Sequence, residues 1–152
     1  MSDSIDTTLW RAAHECTATR LRRATRAVTN VYDELMLETG LRSTQFNLLT
    51  AISLAKEPSV TRLAELLELD RTTLTRNLRP LERDGLVKAV PARDDARLRR
   101  MQLTAKGQRT LERALPLWEQ AQHRLVTALG HRDWRDLIAS LDRVTAVATE
   151  RG

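Results

Sequence analysis

Apolar residues recur every three or four positions over most of this chain, a spacing that predicts a mainly helical protein. From Thr7 to about Glu38 no glycine or proline interrupts the spacing, so we expect one long helix that stops at Gly40. Three shorter helices are expected to follow, each after a residue type that caps helix N-termini well: Ser43, Thr61 and Asp70. The short gap between the last two predicts a helix-turn-helix.

After Gly85 the apolar spacing shortens to two residues. Residues 86–90 and 99–104 both alternate, which predicts a β-hairpin with a polar, basic tip. Helical spacing returns from Thr104 to about Leu129, with a kink expected at Pro116, and again after Gly130. The last helix is expected to turn five apolar residues inward: Trp134, Leu137, Ile138, Leu141 and Val144. The predicted fold class is therefore mainly α with a small β-hairpin (α+β).

The helix predicted after Asp70 is strongly two-sided. At 100° per residue, three leucines fall on one side and are expected to face the core: Leu74, Leu78 and Leu81. The other side carries Thr72, Arg76, Arg79 and Arg83, with Thr73 at its edge. Free N–H groups in the first turn attract phosphate, and an arginine one turn further on can bond a guanine edge through two hydrogen bonds. A surface helix with a solvated basic face is the alternative.

Positive charge is concentrated around this helix. The chain has 25 Lys and Arg against 20 Asp and Glu, a formal net charge of +5. Residues 60–109 hold twelve of the basic and seven of the acidic residues, so this window carries the whole excess. A local excess of this kind is typical of a nucleic-acid-binding module.

The hairpin tip adds arginines of its own, including Arg97 and Arg99. A protruding arginine suits a narrow minor groove of DNA, where the negative potential is enhanced. Asp95 lies two residues before Arg97 and can hold that guanidinium in one orientation. An ordinary charged turn is the alternative for this segment.

The sequence also argues against several other classes of protein. Its single cysteine, Cys16, cannot form an intrachain disulfide, and no apolar run approaches the roughly 20 residues of a membrane span. No signal-peptide pattern is evident, so we expect a cytoplasmic location. The three histidines lack the spacing of a metal site, and no phosphate loop or nucleophile elbow occurs. We therefore expect no enzyme activity, no cofactor, no metal and no membrane contact.

Taken together, these features resemble the MarR family of bacterial winged-helix transcriptional regulators over most of the chain. The resemblance is carried by the segment DRTTLTRNLRPLERDGLV, by Asp-x-Arg at Asp95–Arg97, and by LTAKG at Leu103–Gly107. It implies a winged helix-turn-helix module at residues 41–104, with dimerisation helices at residues 1–40 and 105–152. The apolar content of the outer helices exceeds what a lone helix can bury, which supports dimerisation independently.

The same resemblance implies a function. Family members are homodimers whose recognition helices enter adjacent major grooves of a pseudo-palindromic double-stranded site, with the wings in flanking minor grooves. On this chain the resemblance implies that Thr72, Thr73 and Arg76 face bases and that Arg97 enters the minor groove, braced by Asp95. From their positions on the helix and at the hairpin, Arg79, Arg83 and Arg99 are further candidates for contacting DNA, with Arg79 and Arg83 better placed for phosphates. Most members repress transcription, and many release DNA on binding a small phenolic or lipophilic effector. A non-specific architectural DNA-binding protein is an alternative.

Two features are candidates for a trigger. Cys16 and Tyr32 invite comparison with the family's peroxide sensors, so a redox-sensing regulator is an alternative function, in which Arg20 and Arg23 would favour the thiolate. A lone cysteine is also a common small packing residue. Trp10, Tyr32 and Trp118 are candidates for lining an effector cleft, although core or interface packing is the simpler role for the tryptophans.

Overall fold

The computed structural model describes residues 2–92 and 99–150. Within these residues the chain forms seven α-helices, one 3₁₀ turn and two strands. In chain order they are α1 (Ser2–His14), α2 (Thr17–Met36), the 3₁₀ turn (Leu37–Thr39), α3 (Ser43–Ala55), α4 (Val60–Leu66), α5 (Arg71–Arg83), β1 (Val87–Pro91), β2 (Arg99–Leu103), α6 (Ala105–Leu129) and α7 (His131–Thr149). The mainly helical fold with one hairpin confirms the predicted fold class.

One apolar core joins α3, α4, α5 and the hairpin. Its fully buried side chains include Leu49, Ile52, Leu63, Leu74, Leu81 and Met101. The strands β1 and β2 are antiparallel, with Val87 opposite Leu103 and Ala89 opposite Met101, so the alternating apolar positions of the hairpin meet on one face. The helix-turn-helix and the hairpin are therefore one packed module.

The single long helix expected from Thr7 to Glu38 is wrong. Two helices occupy that stretch, and they are separated at Cys16, whose backbone is extended. The break is stabilised by the Arg20 side chain, whose Nε donates to the carbonyl of His14 at 2.7 Å. No glycine or proline marks the break, which is why the apolar spacing alone did not predict it. The expected stop at Gly40 is confirmed, since this residue adopts a φ of 74°.

Two of the three predicted N-caps are also wrong by one or two residues. Helix α4 begins at Val60 and is capped by Ser59 rather than Thr61, and α3 begins at Ser43 itself. The N–H of Ser43 is instead bound by Asp33 of α2, whose Oδ1 accepts at 2.6 Å, while Oδ2 accepts from Arg42 Nη1 at 3.2 Å. A side chain of α2 thus caps α3 and ties the two helices together.

The outer helices expose apolar faces in the single chain. On α1, Ile5, Leu9 and Trp10 are each more than half exposed, and Val147 near the end of α7 is 73% exposed. The prediction that the last helix turns five apolar residues inward is wrong for one chain, because Leu137, Ile138 and Val144 remain about 40% exposed, while Trp134 and Leu141 are half-buried. The spacing is helical as predicted, but within the described residues these apolar side chains are not fully covered.

None of the helices in residues 2–92 and 99–150 is both long and apolar enough to cross a membrane.

We expect Asp33→Asn to lower the free energy of unfolding by about 1 kcal/mol at pH 7, since a charged acceptor of two hydrogen bonds becomes neutral. Burial alone would raise the pKa of Asp33, but the hydrogen bonds from Ser43 and Arg42 outweigh it and hold that pKa below its ordinary value. A lowered carboxyl pKa contributes stability above the unfolded pKa of about 3.9, and this contribution is lost as the pH falls through the folded value.

Urea unfolding at one protein concentration, at pH 7 and at pH 3, measures the effect of this substitution. The difference between wild type and Asp33→Asn should shrink at the lower pH. The control is Glu34→Gln, which removes an exposed carboxylate one residue along the same helix. An equal decrease in the free energy of unfolding in both variants would contradict the role of Asp33 as a cap of α3.

Candidate nucleic-acid interface

Helix α5 is held in the module by its apolar side. Leu74, Leu78 and Leu81 are all buried in the core, as predicted. Because they fix the rotation of the helix about its axis, the opposite side must face solvent. That side and its edge form a surface that we call the basic face. It consists of Arg71, Thr72, Thr75, Arg76 and Arg79, which line a shallow depression of about 370 Å³.

The first turn of α5 is capped as the sequence predicts. Asp70 Oδ1 accepts from the N–H of Thr73 at 2.8 Å, and Oδ2 accepts from the Thr73 hydroxyl at 2.6 Å. The hydroxyl and N–H of Thr73 hold the pKa of Asp70 below its ordinary value. One N–H of the first turn is therefore already bound to a carboxylate, and the Thr73 hydroxyl is committed to the cap. Thr72, one residue earlier, is exposed on the basic face.

The arginines of α5 differ in their pairing. Arg83 Nε lies 2.9 Å from Asp84 Oδ1, and this neighbour raises the pKa of Arg83 and lowers that of Asp84. In the described part of the chain, Arg76 and Arg79 make no ion pair. The charge of Arg83 is thus partly neutralised, while two exposed guanidinium groups of the basic face are available to a polyanion.

Two members of the basic face were missed from the sequence. Arg71 and Thr75 lie between the polar and the apolar sides on a helical wheel, so the two-sided pattern assigned them to neither. Thr75 donates its hydroxyl to the carbonyl of Arg71 at 2.7 Å. Both residues are exposed and line the depression.

Strand β2 of the hairpin is held by the turn between α3 and α4. Arg100 Nη1 donates to the carbonyl of Glu57 at 3.2 Å, and Gln102 Nε2 donates to Glu57 Oε1 at 2.7 Å. The N–H of Met101 donates to the carbonyl of Pro58 at 2.8 Å. Arg99, in contrast, is exposed. The tip residues Asp95 and Arg97 lie outside the described residues, so their assigned roles stay predictions.

A separate cleft of about 380 Å³ opens between α2, α3 and α6. Its walls include Tyr32, Met36, Phe46, Asn47 and Trp118. Tyr32 donates its hydroxyl to Gln122 Oε1 at 2.5 Å, and burial raises its pKa, so the phenol is neutral at physiological pH. Phe46 and Trp118 stack with their ring centroids 6.2 Å apart.

Of the three candidate cleft residues, only Tyr32 and Trp118 come together. Trp10 belongs to α1, is 56% exposed and stacks on His14 with ring centroids 4.6 Å apart. It does not line the cleft of this chain, because the break at Cys16 separates its helix from α2.

Cys16 lies half-buried at the start of α2. Its pKa is lowered chiefly by the nearby side chain and N–H of Thr19, with a smaller contribution from the charge of Arg22. Arg20 and Arg23, which were expected to favour the thiolate, are not among the groups that lower this pKa, and Arg20 donates to the carbonyl of His14 instead. Among the described residues, no three His, Cys, Asp or Glu side chains come close enough to hold a metal ion.

The family model described as MarR family matches residues 39–98, which cover α3, α4, α5 and β1. No curated protein matches the chain.

Solved structures similar to this one are transcriptional regulators. The transcriptional regulator MosR of M. tuberculosis, in complex with DNA, is 39% identical, with a TM-score of 0.75, over 88% of this chain and 98% of that one. The transcriptional repressor CouR, bound to a 23-mer DNA duplex, is 29% identical, with a TM-score of 0.76, over 89% and 95%. A mutant of E. coli MarR complexed with operator DNA is 23% identical, with a TM-score of 0.78, over 88% and 96%, and supports the fold.

Proposed function

This chain belongs to the MarR family of DNA-binding transcriptional regulators, and on that premise we propose that it is a homodimeric, sequence-specific repressor released from its operator by a small molecule. The observation that carries this proposal is the basic face of α5. It presents Arg76 and Arg79 unpaired within the described residues, at the centre of the positively charged window. MosR and CouR, which resemble this chain, were both solved with DNA.

In this proposal residues 41–104 bind DNA. Thr72 and Arg76 meet base edges, where an arginine can bond guanine through two hydrogen bonds. Thr73 holds the cap that orients this turn, Arg79 and Arg99 bind phosphates, and Arg83 contributes less because Asp84 pairs with it.

Residues 1–40 and 105–152 form the proposed dimer interface. The exposed apolar side chains of α1 and α7, among them Leu9 and Val147, make a surface that is costly to leave in water. A second copy with the same surface covers it and gives a two-fold molecule, which matches a pseudo-palindromic site.

The cleft beside Tyr32 is the proposed effector site. None of its lining residues is charged, and the lining combines three aromatic rings and two other apolar side chains with hydroxyl and amide groups: Thr25, Val28, Thr29, Tyr32, Met36, Ser43, Thr44, Phe46, Asn47 and Trp118. Such a lining favours an uncharged phenolic or lipophilic molecule over an anion. Ser43 belongs both to the cleft and to the Asp33 cap, so a bound molecule acts where α2 meets α3.

DNA affinity and molecular mass test the proposal directly. We expect light scattering to give the mass of two chains. We also expect DNA from around the protein's own gene to bind at least about a thousandfold more tightly than random DNA of the same length at the same salt. A monomer would contradict the two-fold arrangement, and similar affinity for both DNAs would favour an architectural role.

Arg76→Ala should cost about 1–3 kcal/mol at the operator and relax base preference at one position in each half-site. The control is the double variant Arg83→Ala/Asp84→Ala, which removes a local ion pair without changing the net charge. Operator affinity of the double variant should stay close to that of wild type. If the double variant lost as much operator affinity as Arg76→Ala, ion pairing within the chain would not determine which of these arginines contribute to DNA binding.

An uncharged phenol should bind the cleft and weaken DNA binding. In the variant Trp10→Phe/Trp134→Phe, Trp118 is the only remaining tryptophan, so its fluorescence reports on the cleft. We expect p-cresol to change this fluorescence and to release operator DNA in the same concentration range, while benzoate, a charged analogue, does neither. Equal responses to both compounds, or binding of p-cresol without release of DNA, would contradict the proposed effector site.

A further inference from the structure

The segment LTAKG, Leu103–Gly107, carries part of the family resemblance but has no role in the function described so far. It contains the end of β2 and the first turn of α6, and it lies directly against the C-terminal end of α5. We propose that this segment is a clamp that fixes α5 to α6, so that Thr104, Lys106 and Gly107 are positioning residues that set the distance between the two recognition helices of the dimer. The inference rests on the proposed homodimer.

Thr104 makes the first contact of the clamp. Its hydroxyl donates to the carbonyl of Gly85 at 2.6 Å, and its N–H donates to the carbonyl of Leu86 at 3.0 Å. The same hydroxyl accepts from the N–H of Gly107 at 3.0 Å, which makes Thr104 the N-cap of α6. One side chain therefore caps α6 and binds the chain that leaves α5.

Lys106 makes the second contact. Its Nζ donates to the carbonyl of Asp84, the C-cap residue of α5, at 2.8 Å. The C-terminal end of a helix carries partial negative charge, so an ammonium group there is favourable.

Gly107 makes the third contact, which leaves no space for a side chain. A Cβ at this position would lie 1.9 Å from the carbonyl oxygen of Leu86 and 2.9 Å from its carbonyl carbon. Glycine within a helix is unfavourable relative to alanine by roughly 0.5–1 kcal/mol, so its presence here needs a local reason. The reason is direct contact between the backbone of α6 and the backbone that follows α5, with no flexible side chain between them.

Because of this contact, a shift at the start of α6 would displace the backbone that follows α5. Restoring an ordinary contact of 3.4 Å at a Cβ on residue 107 requires a displacement of about 1.5 Å at Leu86. Two-fold symmetry applies the displacement once in each subunit, so the separation of the two α5 helices changes by up to about 3 Å, close to the rise of roughly 3.4 Å for one base pair. A side chain at residue 107 would therefore change the separation of the two α5 helices by nearly one base-pair step, which is enough to alter the preferred spacing of the half-sites.

Operators of different spacing test the clamp. Affinities of wild type and Gly107→Ala are measured on operators whose two half-sites are moved apart or together by one or two base pairs, and on a single half-site. We expect Gly107→Ala to lose about tenfold on the natural spacing and to shift or flatten the spacing preference, while half-site affinity stays within about twofold of wild type. A purely structural defect would lower all affinities together.

A second pair of variants keeps the test independent of whether Gly107→Ala folds. Thr104→Val removes the hydroxyl and should change the spacing preference, whereas Thr104→Ser keeps the hydroxyl and should restore it. Ala105→Gly, an exposed position in the same turn, is the matched control and should behave like wild type. Unchanged spacing preference in both Gly107→Ala and Thr104→Val would overturn the clamp. A wild-type protein that binds one half-site as tightly as two would overturn the homodimer itself.

Discussion

Burial of three leucines on one side of α5 is the constraint on which the rest of the molecule depends. A helix can rotate about its axis by only a small angle before Leu74, Leu78 or Leu81 leaves the core, since all three are almost completely buried. The direction of every polar side chain on the opposite side follows from that fit. The directions of the side chains on the basic face are therefore fixed by apolar packing and not by charge.

Apolar packing fixes where the charged side chains lie, and their local partners then determine which of them are available for binding. The net charge of the chain does not distinguish one arginine from another, but local partners do. Arg83 is paired with Asp84, Arg100 is bound to the carbonyl of Glu57, and Arg76 makes no ion pair within the described residues. Similar side chains in one basic window thus fall into groups that support the fold and groups that face outward. The hydrogen bonds, rather than the number of charges, indicate which arginines support the fold and which face outward.

The sequence predicted several features that depend on neighbouring residues. The Asp70 cap, the stop at Gly40 and the apolar side of α5 all follow from local rules, and all are present. Two features that it did not predict are also local, the Ser59 cap of α4 and the break at Cys16, and others depend on contacts between distant residues. Asp33 caps a helix ten residues away, and Glu57 holds a strand more than forty residues away. The inward face of α7 was misjudged for a related reason, since periodicity shows that a face is apolar but not which chain covers it.

The apolar surface of α1 and α7 also bears on how the protein responds to its own abundance. When a surface is buried only in the dimer, the concentration of dimer at low protein concentration rises with the square of the concentration of free monomer. In the proposed dimer, occupancy of an operator would then rise more steeply with synthesis than it would for a regulator that works as a single chain. Side chains such as Leu9 and Val147, which touch no DNA, would in this way set a threshold of expression for the gene under control.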